Sequence, residues 1–286
     1  MMNFRQYPNA TRIIFPKNTK LSTTDFSNAF SGMRNLRMVR IPLEVTNIVE
    51  LCSNCRNLTT AACGPNVTNM VRAYFNCTNL TGSPVCGPNI TNMTYAYFNC
   101  HSLTGSPVCG PNVTDMSYAY FRCYNLTTAI CGDKVTDMGS TYSNCYNLTT
   151  AVCGPNVTDM GHTYRDCTNL TTAVCGENVI NMPWAYRNCI NLTTAVCGDN
   201  VVYMEGAYQD CPNVQGDIYM YNVTKANNCF SGRNASNRLN IYTYNASTIK
   251  SQNLTGSTLT WTEDAANNCS YNASANIYVY EISKEE

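Results

Sequence analysis

A strict repeat runs through most of the chain and limits its fold more than any other feature. One methionine of the repeat recurs every 22 or 23 residues, at Met70, Met93, Met116, Met138, Met160, Met182 and Met204. Two cysteines keep the same period. They recur at Cys77, Cys100, Cys123, Cys145, Cys167, Cys189 and Cys211, and at Cys63, Cys86, Cys109, Cys131, Cys153, Cys175 and Cys197. A unit this short cannot bury its apolar face alone, so the copies are expected to stack as the coils of a solenoid.

The first half of each copy has a helical pattern. The copy at 113–134 reads VTDMSYAYFRCYNLTTAICGDK. Its inward residues lie at i, i+3, i+4 and i+7, at Met116, Ala119, Tyr120 and Cys123, which is one face of a helix. Asp115 precedes this face, where a carboxylate can cap the first turn. The spacing therefore predicts a helix of about two turns in each copy, stabilised by packing rather than by its own length.

The second half of the copy predicts a short strand and a return turn. Leu126, Ala129 and Cys131 follow the pattern L-x-x-A-x-C, and they alternate around Ile130, which we expect to point outward. The Cys-Gly pair that ends this run predicts a turn. The predicted fold class is an α/β solenoid, a leucine-rich repeat with 22–23-residue coils, a parallel sheet on one face and short helices on the other.

Two adjacent copies depart from this pattern. The segments at 81–87 and 104–110 both read TGSPVCG and carry one extra residue. Pro84 and Pro107 would each remove a hydrogen bond between strands, which predicts a bulge in each copy. Because the two copies are neighbours, we expect the bulges to stack on each other.

The ends of the chain differ from its middle, as the capping units of a solenoid must. We interpret 1–27 as an N-terminal segment, 28–222 as the repeat solenoid and 223–286 as C-terminal capping repeats. The C-terminal part contains two related units with the strand-like runs LNIYTY and NIYVY. A polar loop between these units is predicted to end in a short strand.

The unit NVTDMSYAYFRCYNL resembles the BspA-like leucine-rich repeat family, whose units read roughly V-T-x-M/I-x-x-x-F-x-x-C-x-x-L. The resemblance covers about residues 24–283. Tyrosine here largely replaces the family's phenylalanine, and Ala-Val-Cys-Gly replaces its Ile-x-Ile-Pro strand. The resemblance implies a leucine-rich repeat fold and the role of a surface adhesin. The C-terminal run STLTWTEDAANNCSYNASANIYVY resembles the ends of repeat proteins encoded by gut bacteriophages, which implies a virion protein.

The 18 cysteines admit several kinds of chemistry. Disulfides between neighbouring copies are disfavoured, because equivalent Cβ atoms point in parallel rather than toward each other. Cys52 and Cys55 form a C-x-x-C without the second pair that a zinc site needs and without the βαβ context of a redox dithiol. Our interpretation is a set of free thiols that fill a narrow core. We expect no metal and no cofactor.

Two columns of polar residues each have a functional interpretation and a structural one. The first contains Asn57, Asn79, Asn125, Asn147, Asn169, Asn191 and Asn213, with Ser102 in one copy. These sites could carry glycans, but we expect a ladder whose amides satisfy backbone groups at a turn. The second is the Asp/Asn capping column, which supplies one carboxylate at most per copy, whereas calcium needs six to eight oxygens.

Composition and motifs disfavour several functions. The formal net charge is zero and only 13% of residues are charged, so no nucleic-acid-binding surface is expected. No apolar run approaches the ~20 residues of a spanning helix, so we expect no membrane insertion. The sequence contains no G-x-S-x-G, H-E-x-x-H or phosphate-loop motif. We therefore expect no catalytic residues and no enzymatic activity.

The outward positions of the predicted strands are the candidate binding site. An apolar stripe is predicted at Val85, Val108, Ile130, Val152, Val174 and Val196, with a threonine row beside it at Thr128, Thr150, Thr172 and Thr194. An exposed apolar stripe can mark a partner surface, although such residues also suit any sheet. Further exposed aromatics are expected on the other side, at Tyr95, Tyr118, Tyr124 and Tyr146.

The preferred hypothesis is a non-enzymatic virion structural or host-attachment protein, a phage fibre, spike or decoration protein that binds through a repeat surface. The N-terminal residues lack an apolar signal segment, which favours a virion protein made in the host cytoplasm. Its partners would be other virion proteins, or a host surface protein or glycan, and self-association stays open. One alternative is a BspA-type adhesin at the bacterial cell surface. Another is a glycan-degrading β-solenoid spike, which would need outward acidic pairs where the strands show Thr and Val.

Overall fold

The computed structural model describes Phe4 and residues 6–16, 19–107 and 109–284. Within these residues the copies stack as parallel coils. Isolated parallel bridges join one residue of each coil to the next, through Asp25, Asn47, Asn69, Asn92, Asp115, Asp137, Asp159, Asn181, Tyr203 and Lys225. The inward residues of all coils merge into one continuous core. The predicted leucine-rich repeat stacking is therefore formed, although the elements inside each coil differ from the prediction.

Regular strands in the described residues lie at the two ends of the stack. At the N-terminal end, β1 (Arg12–Ile14) pairs in parallel with β2 (Met38–Arg40). The C-terminal end contains β3 (Gly216–Tyr219), β4 (Leu239–Thr243), helix α1 (Ala246–Ser251), β5 (Thr262–Asp264), β6 (Cys269–Asn272) and β7 (Ile277–Glu281). These strands form one sheet in the order β3-β4-β7-β6-β5, parallel from β3 to β7 and antiparallel beyond. The runs LNIYTY and NIYVY are thus strands, whereas α1 was not predicted. The boundaries after residues 27 and 222 remain predictions.

The predicted short helices of the coils are wrong, and two consecutive turns take their place. In the two turns at 116–123, three amides donate to the carbonyl three residues back, for example Ala119 to Met116 at 2.8 Å. The amides between them donate to the next coil, for example Tyr118 to Gly139 at 2.9 Å. A helix would keep every amide bond within its own coil, whereas this arrangement uses alternate amides to join coils. Met116, Ala119, Tyr120 and Cys123 are nevertheless all buried, because paired four-residue turns repeat the inward spacing of a helix.

Each pair of turns contains two residues with positive φ. The first column comprises Asn28, Glu50, Arg72, Tyr95, Tyr118, Ser140, His162, Trp184, Gly206 and Asn228. The second comprises Gly32, Asn54, Asn76, Asn99, Arg122, Asn144, Asp166, Asn188, Asp210 and Gly232. Asn, Asp and Gly tolerate this left-handed conformation best, so the second column matches its backbone at every coil except at Arg122. In the first column such residues are found toward the two ends of the stack, at Asn28, Gly206 and Asn228.

The predicted parallel sheet along the coils is also wrong for the described residues. Backbone hydrogen bonds between coils reach Thr127, whose carbonyl accepts from the amide of Thr149 at 3.1 Å. Three residues further on, the hydroxyl of Tyr142 accepts from the amide of Ile130 at 3.0 Å and donates to its carbonyl at 2.7 Å. Since one hydroxyl satisfies both groups, the segment stays extended without pairing to its neighbour.

The structure confirms free thiols, of two kinds. The first cysteine of each copy is fully buried, and its thiol donates to a carbonyl of the preceding coil, as Cys167 does to Tyr142 at 3.2 Å. The second is half-buried, and the glycine that follows it approaches the preceding coil closely. A Cβ on Gly110 would lie 2.6 Å from the carbonyl oxygen of Gly87 and 3.1 Å from the Cys86 sulfur. Glycine is therefore required at this position by close approach rather than by its φ.

The predicted asparagine ladder and capping bonds are formed. Asn125 donates its side-chain amide to the carbonyl of His101 in the preceding copy at 3.0 Å. Asp115 accepts from the amide of Ser117 at 2.8 Å, so it caps a turn rather than a helix. In the two irregular copies, Gly82 and Gly105 have φ of 79° and 80°, and the amide of Thr104 donates to the carbonyl of Gly82 at 3.1 Å. The extra residue is thus accommodated by a bend stacked in both copies, and not by a strand bulge.

Candidate binding surface

The predicted apolar stripe occupies equivalent positions of successive coils but is only partly accessible. Val85 is exposed, whereas Ile130, Val152, Val174 and Val196 are half-buried. In the threonine row, Thr128 is half-buried, and Thr150, Thr172 and Thr194 are exposed. Val108 lies outside the described residues. Val152 and Val196 also pack against the core, so part of each side chain has a structural task. The stripe stays a prediction.

A ladder of stacked, buried tyrosines lies beneath the stripe and is hydrogen-bonded to the backbone of stripe residues. The ladder comprises Tyr74, Tyr97, Tyr120, Tyr142, Tyr164, Tyr186 and Tyr208, and it ends on Phe230. The rings of Tyr164 and Tyr186 stack at 5.4 Å, and the hydroxyls of these two accept from the amides of the stripe residues Val152 and Val174, each at 2.9 Å. Burial raises the pKa of these hydroxyls well above the ordinary value, so they stay protonated and can donate. The sequence placed these tyrosines in the core but did not predict their hydrogen bonds.

A second group of aromatic side chains lies on the turn side of three neighbouring coils. Phe75, Phe98 and Phe121 form one stack with ring centroids 4.8 Å and 4.7 Å apart. Tyr95 and Tyr118 form another, at 4.6 Å and 3° between planes. The two stacks touch at an angle, with the rings of Tyr95 and Phe98 5.6 Å apart and tilted by 45°. All five rings are half-buried, so part of each is accessible to a partner.

An arginine lies at each end of these stacks. The guanidinium of Arg72 is 5.2 Å from the ring centroid of Tyr95, and it also pairs with Glu50 at 3.6 Å. At the other end, the guanidinium of Arg122 is 5.4 Å from the centroid of Phe121. Both arginines are exposed. We name this set the aromatic–arginine surface: Arg72, Phe75, Tyr95, Phe98, Tyr118, Phe121 and Arg122.

A third stack, of His101, Tyr124 and Tyr146, occupies another position of the turns. Its centroids are 4.4 Å and 5.0 Å apart, and Tyr146 is exposed. Burial and the nearby charge of Arg122 lower the pKa of His101, which favours the neutral imidazole. The four tyrosines singled out in the sequence thus fall into two different stacks. The phenylalanines were missed, although their recurrence one position after the ladder tyrosine of three consecutive copies was the available signal.

The remaining candidate sites are structural. Cys52 and Cys55 are both fully buried, and the thiol of Cys55 donates to the carbonyl of Phe30 at 3.0 Å. The hydrogen bond from Cys52 lowers the pKa of Cys55, but burial keeps the pair away from any partner. Across the described part of the chain, no three His, Cys, Asp or Glu side chains meet as a metal site. Nor does any helix in that part have the length and apolarity to cross a bilayer.

Comparison with known proteins gives a match to one family and to a few solved folds. The BspA type leucine-rich repeat region matches in 6 copies, over residues 2–104 and 111–215. No curated protein matches the chain. A leucine-rich repeat protein from Bacteroides ovatus is 15% identical with a TM-score of 0.64, and the match covers 81% of this chain and 63% of that one. This likeness shows the fold alone, and the chain spans less than two thirds of the B. ovatus protein.

Two further structures are less similar. A leucine-rich repeat protein from T. pallidum has a TM-score of 0.40 at 15% identity, over 49% of this chain and 70% of that one. A leucine rich cell surface protein from Faecalibacterium prausnitzii has a TM-score of 0.40 at 16% identity, over 87% of this chain and 91% of that one.

Proposed function

The chain belongs to the BspA-type leucine-rich repeat family, and we propose that it is a binding protein that contacts a partner protein through a surface of its coils. Leucine-rich repeats are a non-enzymatic kind of fold and generally bind other proteins. Stacked repeats suit this task because they present the same positions side by side over an extended area. The proposal therefore concerns which outward positions carry the contact.

The aromatic–arginine surface is the observation that carries this proposal. Tyrosine, phenylalanine and arginine are enriched at the centres of protein interfaces, and tyrosine and arginine supply a large share of the binding energy. Here five rings and two guanidinium groups lie on neighbouring coils, and all are at least partly accessible. The apolar stripe at Val174 and its neighbours is a second candidate contact, supported by its repetition along the coils.

For the biological context of this binding, we propose host attachment from a phage particle, because residues 257–280 resemble the ends of phage-encoded repeat proteins. A BspA-type adhesin at a bacterial surface is the alternative and would use the same contacts. A glycan-degrading spike has less support, since Asp115 and Asp137 each accept an amide hydrogen bond at a turn, at 2.8 Å and 2.7 Å. Catalysis would require a pair of carboxylates free to reach a glycosidic bond.

The test uses the fluorescently labelled full chain on an array of bacterial and host extracellular proteins, with a glycan array beside it. We expect saturable binding to protein spots with a Kd in the micromolar range or below. A polysaccharide mixture incubated with the chain should release no new reducing ends. Failure to bind any protein saturably, or release of reducing ends, would overturn the proposed function.

A further inference from the structure

We propose that the aromatic–arginine surface is the main contact site of this chain, and that it takes an extended, acidic segment of a partner protein. This inference rests on the proposed function and adds the residues and the chemistry of the partner. It is carried by three observations: the backbone conformation of the surface residues, the orientation of their rings, and the placement of their charges.

The backbone observation is that Arg72, Tyr95, Tyr118 and Arg122 all have positive φ, between 53° and 58°. L-residues other than Gly, Asn and Asp adopt this conformation at a cost. The fold does not need these side chains there, because Ser140 and Gly206 occupy the first column in other coils and Asn99 and Asn144 occupy the second. Glu50, Ser140, His162 and Trp184 hold the same conformation in other coils, so the first column does not distinguish the surface. In the second column, Arg122 alone replaces Asn, Asp or Gly, and a strained residue of this kind is typical of a functional site, where the side chain is retained for what it contacts.

The orientation of the rings selects the kind of partner. Tyr95 and Tyr118 cover each other's faces, at 4.6 Å and 3°, and the phenylalanine stack does the same. Except at the second face of Tyr118, where the next coil has Ser140 rather than an aromatic residue, a partner approaching from solvent therefore meets ring edges rather than ring faces. Edges carry the positive part of the aromatic quadrupole and attract carboxylate and carbonyl oxygens. A sugar that packs its C–H groups on an aromatic ring needs an open face, so the geometry favours a peptide over a glycan.

The two arginine charges of the surface also favour a peptide, and specifically an acidic one. Arg72 and Arg122 lie at opposite ends of the stacks, two coils apart, which corresponds to about 10 Å at the spacing of stacked strands. An extended peptide advances about 3.3 Å per residue, so two acidic residues three positions apart would reach both guanidinium groups. Glu50, at 3.6 Å from Arg72, occupies only one side of that group and is itself only partly buried. The expected motif is thus an acidic residue, two residues over the ring edges, and a second acidic residue.

The C-terminal sheet also has a tyrosine-rich outer face, but the arginine on it is contacted by side chains of the sheet itself. The guanidinium of Arg238 lies 3.8 Å from the ring centroid of Tyr278, and it donates to Asn240 and to the hydroxyl of Tyr280, each at 2.8 Å. Its charge is therefore held by the sheet's own side chains. The binding site for an acidic segment is therefore assigned to the coils and not to the C-terminal sheet.

The experiment pans a random dodecapeptide display library on the full-length chain and then measures the synthetic consensus peptide by fluorescence anisotropy. We expect the enriched peptides to carry two acidic residues three positions apart. Affinity should fall at least tenfold in the double variant Arg72→Gln/Arg122→Gln, and similarly in Tyr95→Asn/Tyr118→Asn. It should change less than twofold in the matched control Arg165→Gln/Arg187→Gln, which removes two arginines from coils outside the surface. Binding should also weaken as salt is raised.

Each other outcome overturns the inference, and some of them separate it from the proposed function. Peptides without acidic residues, or peptides whose affinity survives Arg72→Gln/Arg122→Gln, would contradict it. Peptides that bind Thr172→Asp/Val174→Asp poorly but the arginine variant normally would assign the contact to the stripe and leave the proposed function intact. Glycan binding lost in the tyrosine variant, or no enriched peptide while the protein array shows binding, would also refute the acidic segment. Circular dichroism and thermal melting of each variant identify any that do not fold.

Discussion

Two aromatic ladders run along the same coils, one buried and one at the surface, and their difference separates what the fold needs from what a partner would use. Tyr118 and Tyr120 are two residues apart, and both stack on the tyrosine of the preceding coil, at 4.6 Å and 5.6 Å. The coil spacing therefore imposes similar ring stacking in both places. The ladders differ in burial, which is complete at Tyr120 and partial at Tyr118.

The repeats treat the two positions differently. Every copy from Tyr74 to Tyr208 keeps tyrosine in the buried ladder, because its ring fills the core and its hydroxyl satisfies the backbone of the neighbouring extended segment. The surface position changes from Tyr118 to Ser140 and then to His162. A position that the fold requires is constant among copies, whereas a position free of that requirement can differ from coil to coil.

The largest expected effect is alkaline unfolding driven by the buried tyrosine ladder together with the buried thiols. Burial raises the pKa of its tyrosines well above their ordinary value of 10, and it also raises the pKa of nearly all the buried thiols above 9. The folded state thus holds protons that the unfolded chain releases. Its stability is complete below about pH 9 and falls as the pH rises further, by up to ~1.4 kcal/mol per pH unit for each group.

With seven ladder tyrosines acting together, this loss exceeds the stability of an ordinary domain within one or two pH units. Tyrosinate absorbance and circular dichroism recorded on the same titration check the prediction. The ladder tyrosines should ionise only in the step in which the ellipticity is lost. Smooth ionisation of all tyrosines near pH 10 in a chain that stays folded would contradict the burial of the ladder.

The next largest effect compares alanine in the two ladders. Tyr164 lies between Tyr142 and Tyr186, at 5.8 Å and 5.4 Å, with its ring fully buried. Tyr164→Ala should lower the free energy of unfolding by about 3–5 kcal/mol, the usual cost of deleting a large aromatic side chain from a core. Tyr118→Ala removes a surface stack and should cost about 1 kcal/mol. Urea denaturation of both variants gives the two values, and equal losses would remove the distinction between the ladders.

Much of the core was predictable from the sequence, because the inward residues follow directly from the period. Met116, Ala119, Tyr120 and Cys123 are buried as predicted. The elements around them were not predictable from that spacing, since a helix and two successive turns place the same residues inward. One signal could have separated them. Asn, Asp or Gly recurs just before the buried cysteine, as at Asn144, where a helix has no need for a residue that tolerates positive φ.

The candidate site was predictable only in part. Tyr95 and Tyr118 were expected to be exposed, but their pairing with the Phe98 stack depends on how far each turn projects, which the period does not specify. The stripe at Val152 was expected to point outward from a sheet. It is half-buried because the Tyr164 hydroxyl takes both backbone groups of Val152, at 2.9 Å and 2.5 Å, and draws this residue against the core. Hydrogen bonds of this kind, between a side chain and the backbone, cannot be predicted from the spacing of apolar residues.

The smallest expected effect tests whether the surface ladder is strained. Tyr118 has φ of 57°, and its replacement by asparagine introduces a residue that tolerates this conformation, whereas alanine does not. Loss of the stack, about 0.5–1.5 kcal/mol, should be largely offset by relief of about 1 kcal/mol of backbone strain. The free energy of unfolding of Tyr118→Asn should therefore lie within about 1 kcal/mol of that of the natural chain and above that of Tyr118→Ala.

Asn99→Ala is the control, because this position already has a residue that tolerates its φ of 65°, and the substitution should only lower the free energy of unfolding. If Tyr118→Ala proved as stable as Tyr118→Asn, no strain would be stored at Tyr118.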